Sequence, residues 1–368
     1  MLFRSLKDGP DMSNVAHLDS SSQPDAALIR VLIVDDSAVA RAALTRMVSD
    51  APNFEVVAAL DGARRAIDWL GSAHVDIVLL DIQMPGLDGI AALPELVDAC
   101  CGARIIIVST LAGDGARATI KALALGAADT LAKPDMDALG RQFGAVLIDK
   151  MLRLGKANPA TFPAARMPQL LRQAPDTAVE CLAIGASTGG LHALAGFFAN
   201  LPPSFDAPIL ITQHLPPTFM SFFADQLGAL SGRSVRVAAD GDLVKAGDVL
   251  VAPGNSHLQI QRSGQRVKVK LLNLAVPSRC CPSVDPMFAS VASVFGNTAL
   301  GIVLTGMGRD GEIGAAAIAA TGGTVIVQDA VSSTVWGMPG TVARAGLASL
   351  IAPPEALARY VSDRGVTR

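Results

Sequence analysis

From position 29 onward, short apolar runs alternate with segments whose apolar residues recur at helical spacing. "RVLIVDD" reads as a strand buried on both faces and closed by two carboxylates, and "AVARAALTRMVSD" after it as an amphipathic helix. "VDIVLLD", "RIIIVST" and "DTLAKP" end three more strands, with the turn "MPGLDG" after the first and the helical "ARATIKALALGA" before the last. This alternation predicts a doubly wound parallel sheet over residues 29–147. Residues 148–177 break the pattern: "KANPATFPAARMPQLLRQAPDT" carries prolines, basic residues and no strand signal, and reads as a linker. A second series runs from "VECLAIG" and "APILITQH" through "VRVAAD" and "DVLVAPG" to "ALGIVLTG" and "GTVIVQD". It predicts a second doubly wound α/β domain over 178–364, with "HLQIQRSGQRVKVKLL" adding antiparallel strands to an otherwise parallel sheet. Residues 1–28 are polar and turn-rich and read as a disordered tail.

Composition narrows the picture. A length of 368 residues suits two domains at about 150 residues each. Half the chain is hydrophobic and only 4% aromatic, which fits buried parallel strands better than a β-sandwich. A net charge of −3 gives no pull towards nucleic acid or an anionic membrane. No apolar run reaches the roughly 18–20 residues that span a bilayer, and the N-terminus lacks the apolar core of a secretory signal. A soluble cytoplasmic monomer without direct membrane insertion is the expectation. Cys100, Cys101, Cys181, Cys280 and Cys281 show no C-x-x-C spacing and read as reduced thiols rather than metal ligands.

Ligands of open α/β sheets gather beyond the carboxyl ends of the strands. In the first domain Asp35 and Asp36 end one strand, Asp81 another, Ser109 a third, and Lys133 with Pro134 the last. Three converging carboxylates repel unless a cation sits among them, and an all-oxygen ligand set suits Mg²⁺. One of the carboxylates can then attack a phosphoryl group whose oxygens a hydroxyl and a lysine hold. Taken singly, each aspartate is equally well a turn residue closing a strand.

In the second domain Gly185-Ala186-Ser187-Thr188-Gly189 fits G-x-S-x-G. That is the pattern of a nucleophile elbow, and also of a glycine turn that cradles phosphate or lets a helix pack close to a sheet. His214 and Asp310 stand at two other strand ends, so the three side chains can meet as nucleophile, base and orienting acid. The Met307 N–H, between two glycines, is a candidate oxyanion donor, and the helix after Ser187 aims its positive end at the same place. A single strand-end histidine is more often structural than catalytic, and the order Ser, His, Asp is not that of α/β-hydrolases. His192 and His257 are weaker candidates for the base; His17 lies in the tail and His74 in a loop. A competing reading takes Gly306 to Gly311 as G-x-G-x-x-G, with Asp329 as the ribose-binding acid of an NAD site. It comes late in the domain, however, and Asp310 sets a negative charge where the pyrophosphate would lie.

The Asp-Asp, Asp, Ser and Lys-Pro set resembles the receiver domains of bacterial two-component response regulators. The resemblance implies a flavodoxin-like fold phosphorylated at Asp81. Mg²⁺ would be held by Asp35, Asp36, Asp81 and the Gln83 carbonyl, and Ser109 and Lys133 would sense the phosphoryl group. Thr130 stands where that family usually has Phe or Tyr. The segments "AIGASTGG", "ITQHLPPTFMSFFADQL", "DVLVAPGNSHLQI", "CPSVDPMFASVA", "IVLTGMGRDG" and "WGMPG" are in turn similar to the chemotaxis protein-glutamate methylesterases, the CheB family. That resemblance implies demethylation of glutamate methyl esters and deamidation of glutamines on chemoreceptor cytoplasmic helices. Ser187 would be nucleophile, His214 base and Asp310 orienting acid, with Thr188 and Met307 beside the reaction centre and no cofactor for the esterase reaction. It further implies methyl-accepting chemoreceptors as substrate, a chemotaxis histidine kinase as phosphodonor, and a receiver that covers Ser187 until it is phosphorylated. Gly340 replaces a commonly basic residue, and Cys280-Cys281 a commonly polar pair. A phosphorylation-controlled adaptor without catalysis is the non-enzyme alternative.

Overall fold

The computed structural model describes residues 28–84, 89–109, 114–133, 141–155, 169–170, 172–175 and 177–364. The expected N-terminal tail, most of the "MPGLDG" turn, Pro134 and most of the linker lie outside the described residues.

The first domain runs β1 (Ile29–Val34), α1 (Ala38–Ser49), β2 (Phe54–Leu60), α2 (Ala63–Leu70), β3 (Ile77–Leu80), α3 (Gly89–Ala99), β4 (Arg104–Ser109), α4 (Asp114–Ala124), β5 (Asp129–Ala132) and α5 (Arg141–Gly155). Its five strands are parallel in the order β2-β1-β3-β4-β5. Every residue of β3 is buried, as expected of a strand covered by helices on both faces. The edge strand β2 is only partly covered: Phe54 is buried, Glu55 and Ala59 are exposed and the rest lie between. Helix α5 continues to Gly155, so the connector starts later than position 148.

The second domain contains β6 (Gln169–Leu170), β7 (Cys181–Ala186), α6 (Gly190–Asn200), β8 (Ile209–Gln213), α7 (Pro217–Ser231), β9 (Val235–Val237), β10 (Val249–Val251), β11 (His257–Ser263) and β12 (Arg266–Leu272). It continues with α8 (Val284–Phe295), β13 (Ala299–Val303), α9 (Glu312–Ala320), β14 (Thr324–Gln328), α10 (Met338–Arg344), β15 (Leu350–Ala352) and α11 (Pro354–Ser362). Eight strands form one sheet, β6-β15-β14-β13-β7-β8-β10-β9, parallel except for β6.

Here the structure corrects two expectations. The hairpin β11-β12 stands apart as its own antiparallel sheet, and the antiparallel strand of the main sheet is β6, from the segment read as strandless linker. The hairpin buries one face, through Leu258, Ile260 and Val269, in the cluster that holds Met287 and Phe288 of α8. Gln261, Arg262, Ser263 and Arg266 at its turn end stay exposed, which a sheet covered on both faces would not tolerate. With two residues, β6 is too short to have a period.

The connections reverse direction at β7, which lies between β13 and β8. That is the topological switch point, where open α/β sheets place their ligands. The two domains meet along α4 and α7, with the Arg117 guanidinium 5.1 Å from the centre of the Phe222 ring. One apolar cluster includes Ile120 and Leu123 of α4 together with Phe219 and Phe223 of α7.

Candidate active site

At the carboxyl edge of the first sheet, the Asp35, Asp36 and Asp81 carboxylates offer oxygens within 4.8 Å of one another. Lys133 at the end of β5 donates to both Asp35 (2.8 Å) and Asp81 (2.6 Å). Burial raises the pKa of Asp81 although Lys133 opposes it; burial disfavours the charge on Lys133, but the two carboxylates outweigh that and raise its pKa. This site therefore already needs a positive charge, and its all-oxygen donor set fits a hard divalent cation. The Gln83 backbone N–H donates to Asp81 at 3.1 Å. The Ser109 hydroxyl is buried and hydrogen-bonded to Thr119 at 2.7 Å. So Asp35, Asp36, Asp81, Gln83 and Lys133 share this edge, while Ser109 is turned to α4. Thr130 is buried and its hydroxyl has no hydrogen-bond partner among the described residues.

Ser187, His214 and Asp310 follow β7, β8 and β13, the three adjacent strands at the switch point. The Ser187 turn is fixed by its backbone: its N–H donates to the Thr305 carbonyl (3.0 Å), and its own carbonyl accepts from the Gly190 N–H and the Gln213 amide, both at 2.8 Å. Gly189 turns at φ 76°, the left-handed region that favours glycine, and α6 starts at the next residue. Gly306 is required for a different reason: a Cβ there would stand 2.8 Å from the Ser187 Cβ. Met307 is the next residue after that close approach, and its side chain packs against the cluster that holds Ile29 and Val335.

His214 Nε2 lies 2.7 Å from Asp310 Oδ2. Asp310 is nearly fully buried and held by groups the sequence reading missed. Its carboxylate accepts from the Ser283 hydroxyl (2.6 Å) and the Val284 N–H (2.7 Å), at the positive end of α8. Burial opposes the Asp310 charge, but His214 and these donors outweigh it and bring the pKa down to about 2. For His214, burial disfavours the charged ring, yet Asp310 and a contact from Cys280 win and raise its pKa to about 9. Asp285, buried near Asp310, is raised to about 6 by burial and by the like charge. Among the described residues no hydrogen bond joins the Ser187 hydroxyl to His214, although both line one cleft.

The other candidates have structural partners. His257 is buried, with Nε2 on the Leu274 carbonyl and Nδ1 accepting from the Ser283 N–H. Asp329 accepts from the Ser332 N–H at 3.0 Å, and the Gly306 carbonyl accepts from Gly337 and Met338. The G-x-G-x-x-G segment is thus closed over by α10, and its acid is bound locally, against a dinucleotide site. Gly340, at a commonly basic position, packs under Trp336, over which the Arg344 guanidinium lies at 5.8 Å.

The cleft is covered by the first domain. The Thr188 hydroxyl donates to the Asp129 carboxylate (2.7 Å), the Gly189 N–H donates to the Ala128 carbonyl (2.8 Å), and Lys150 of α5 pairs with Asp129 (2.8 Å). What remains between Leu123, Ala128, Asp129, Ser187, Thr188 and His214 is about 20 Å³, room for one water and no substrate.

Residues 182–361 match the family model for CheB methylesterase, and 31–142 that for the response regulator receiver domain. A protein-glutamate methylesterase/protein-glutamine glutaminase 2 of Caulobacter vibrioides is 42% identical over 343 residues, 91% of this chain and 99% of that protein. The chain belongs to the CheB methylesterase family. A second relative, protein-glutamate methylesterase/protein-glutamine glutaminase 1 of Paramagnetospirillum magneticum, is 38% identical over 381 residues, 95% of this chain and all of that protein. The solved CheB methylesterase catalytic domain of Thermotoga maritima is 34% identical, covers 51% of this chain and 99% of that domain, and has a TM-score of 0.49. In this methylesterase-family chain a receiver domain implies control by phosphorylation, and no helix among the described residues is long and apolar enough to cross a membrane.

Proposed function

We propose that this chain hydrolyses glutamate methyl esters, and deamidates glutamines, on chemoreceptor cytoplasmic helices, and that a chemotaxis histidine kinase controls it through Asp81. The observation that carries this reading is the His214–Asp310 pair beside Ser187 at the switch point of a CheB-family domain.

Ser187 Oγ attacks the glutamyl carbonyl carbon while His214 takes its proton and Asp310 balances the charge on the ring. The developing oxyanion faces the Met307 N–H and the start of α6. Collapse expels methanol from an ester, or ammonia from an amide, with the proton returned from His214. Water, deprotonated by the same histidine, then releases the glutamate side chain and restores Ser187. In the covered state, against burial, Asp310 and Cys280 favour the charged ring and raise the His214 pKa, which disfavours the neutral form that takes the serine proton.

On the receiver, Asp35, Asp36, Asp81 and the Gln83 carbonyl would hold Mg²⁺. Bound there, the ion neutralises phosphoryl oxygens and lowers the barrier to their transfer. Asp81 supplies the attacking oxygen, and Lys133, leaving its present carboxylate partners, holds the phosphoryl group. Lys133 directly follows the strand that Asp129 begins, so this change pulls on the cover over Ser187. Asp129→Ala removes the hydrogen bond that Thr188 donates across the domains to this partly buried carboxylate, worth about 1.5–3 kcal/mol, and is expected to raise unstimulated turnover roughly ten- to a hundredfold. Methanol release without phosphodonor checks it, and an unchanged basal rate contradicts it.

The test of the function is mass spectrometry of methylated receptor membranes before and after incubation with the enzyme. Loss of a methyl group from glutamyl esters and conversion of glutamine to glutamate are expected. Binding to receptor with every ester intact supports the adaptor instead.

A further inference from the structure

Cys280 moves no proton and makes no bond in the chemistry above, yet it lies against the proposed base. One ligand atom from each of Cys280, His214 and Asp310 falls within 4.8 Å of the other two. We propose that Cys280, His214 and Asp310 form a binding site for a thiophilic divalent cation, with Zn²⁺ as the best fit, whose occupation switches the hydrolase off.

The donor set makes the choice of ion. A thiolate, an imidazole and one carboxylate are the ligands of four-coordinate Zn²⁺, whereas Mg²⁺ prefers the all-oxygen cluster of Asp35, Asp36 and Asp81. The two clusters thus separate the two metals by donor softness. Ligand atoms around tetrahedral Zn²⁺ stand roughly 3.3–3.8 Å apart. The present spacing closes to that by small side-chain rotations, with the 2.7 Å His214–Asp310 contact lengthening. Ser283 and the Val284 N–H already hold the Asp310 carboxylate, as partners behind a ligand do in metal sites. Asp310 is buried, while His214 and Cys280 are each partly exposed, so the ion has a way in and a water can fill the fourth position. Just ahead of the thiol, Arg279 holds φ 58°, an uncommon backbone conformation for a residue other than glycine.

Binding releases the thiol proton of Cys280 and the ring proton of His214 to water, and no electrons move. With the ion on its imidazole, His214 cannot accept the Ser187 proton, so turnover stops. The spacing of the cysteines along the chain gives no hint of this site, because its ligands come from three separate loops.

The test uses the full-length protein and its Cys280→Ser and Cys281→Ser variants. Titration with Co²⁺, the spectroscopic stand-in for Zn²⁺, is expected to give a thiolate-to-cobalt charge-transfer band in the wild type and in Cys281→Ser, and none in Cys280→Ser. Cobalt on the receiver carboxylates has no thiolate and adds nothing to that band. The Zn²⁺ concentration that halves ester hydrolysis, each protein measured against its own zinc-free rate, is expected to rise at least about tenfold in Cys280→Ser. Absence of the band from the wild type, its persistence in Cys280→Ser, or equal zinc sensitivity of the two overturns the proposal. If the esterase reading itself failed, no variant would have a rate to inhibit, but the cobalt band would be untouched, so the two failures are distinguishable.

Discussion

Replacing Ser187 with alanine is expected to lower glutamyl-ester hydrolysis by about 10⁴- to 10⁶-fold and to leave the fold as it is. The substitution removes a single oxygen. The contacts that hold the turn are all made by the backbone: the Ser187 N–H to Thr305, and its carbonyl to Gly190 and Gln213. None involves the hydroxyl, so the thermal midpoint is expected to stay at the wild-type value. The loss is expected in kcat rather than KM, because a missing nucleophile removes an interaction made only on the way to the transition state. Methanol release with a matched thermal melt checks both halves. Activity within tenfold of wild type would mean that the attacking atom lies elsewhere.

Asp310→Asn is expected to cost about 10⁴-fold in kcat. The carboxylate now accepts from His214, Ser283 and Val284 together, and all three are hydrogen-bond donors to it. An amide of the same shape brings an N–H₂ to one side. If the N–H₂ takes the place of Oδ2, it meets both the His214 ring and the Val284 N–H: the ring must present a lone pair, the tautomer needed at Ser187 is lost, and two donors face each other at the start of α8, at about 1–3 kcal/mol in stability. If it takes the place of Oδ1, the Ser283 hydroxyl turns to accept from it and the remaining oxygen still serves His214 and Val284, but without the charge that steadies the imidazolium. The two cases separate experimentally: a drop in both kcat and melting point indicates the first, and a drop in kcat with a wild-type melting point indicates the second. Wild-type kcat in Asp310→Asn would remove Asp310 from the mechanism.

Much of this arrangement is legible in the sequence, for a physical reason. Buried parallel strands are unbroken apolar runs, so their ends are easy to find, and ligand chemistry in open sheets gathers there. Asp35, Asp81 and Lys133 could be grouped on that rule, as could Ser187, His214 and Asp310. What is not legible depends on contacts between distant segments. Asp129 looks like the start of a strand, and only the packing of the domains brings it to the Thr188 hydroxyl. Ser283 and Val284 look like the start of a helix, and only the tertiary fold turns that helix onto Asp310. The same holds for Cys280 beside His214. The G-x-G-x-x-G match shows the opposite error: glycines that serve close packing against Ser187 and a turn into α9 look like a phosphate-binding fingerprint when their surroundings are unknown.

The central claim is that this is a hydrolase whose serine is covered by its own receiver. The measurement that tests it most directly is methanol release from methylated receptor membranes by the full-length protein, before and after adding a small-molecule phosphodonor with Mg²⁺. A low initial rate that climbs at least about tenfold on phosphorylation, and does not climb in Asp81→Asn, is the expected result. No methanol under either condition would contradict the account.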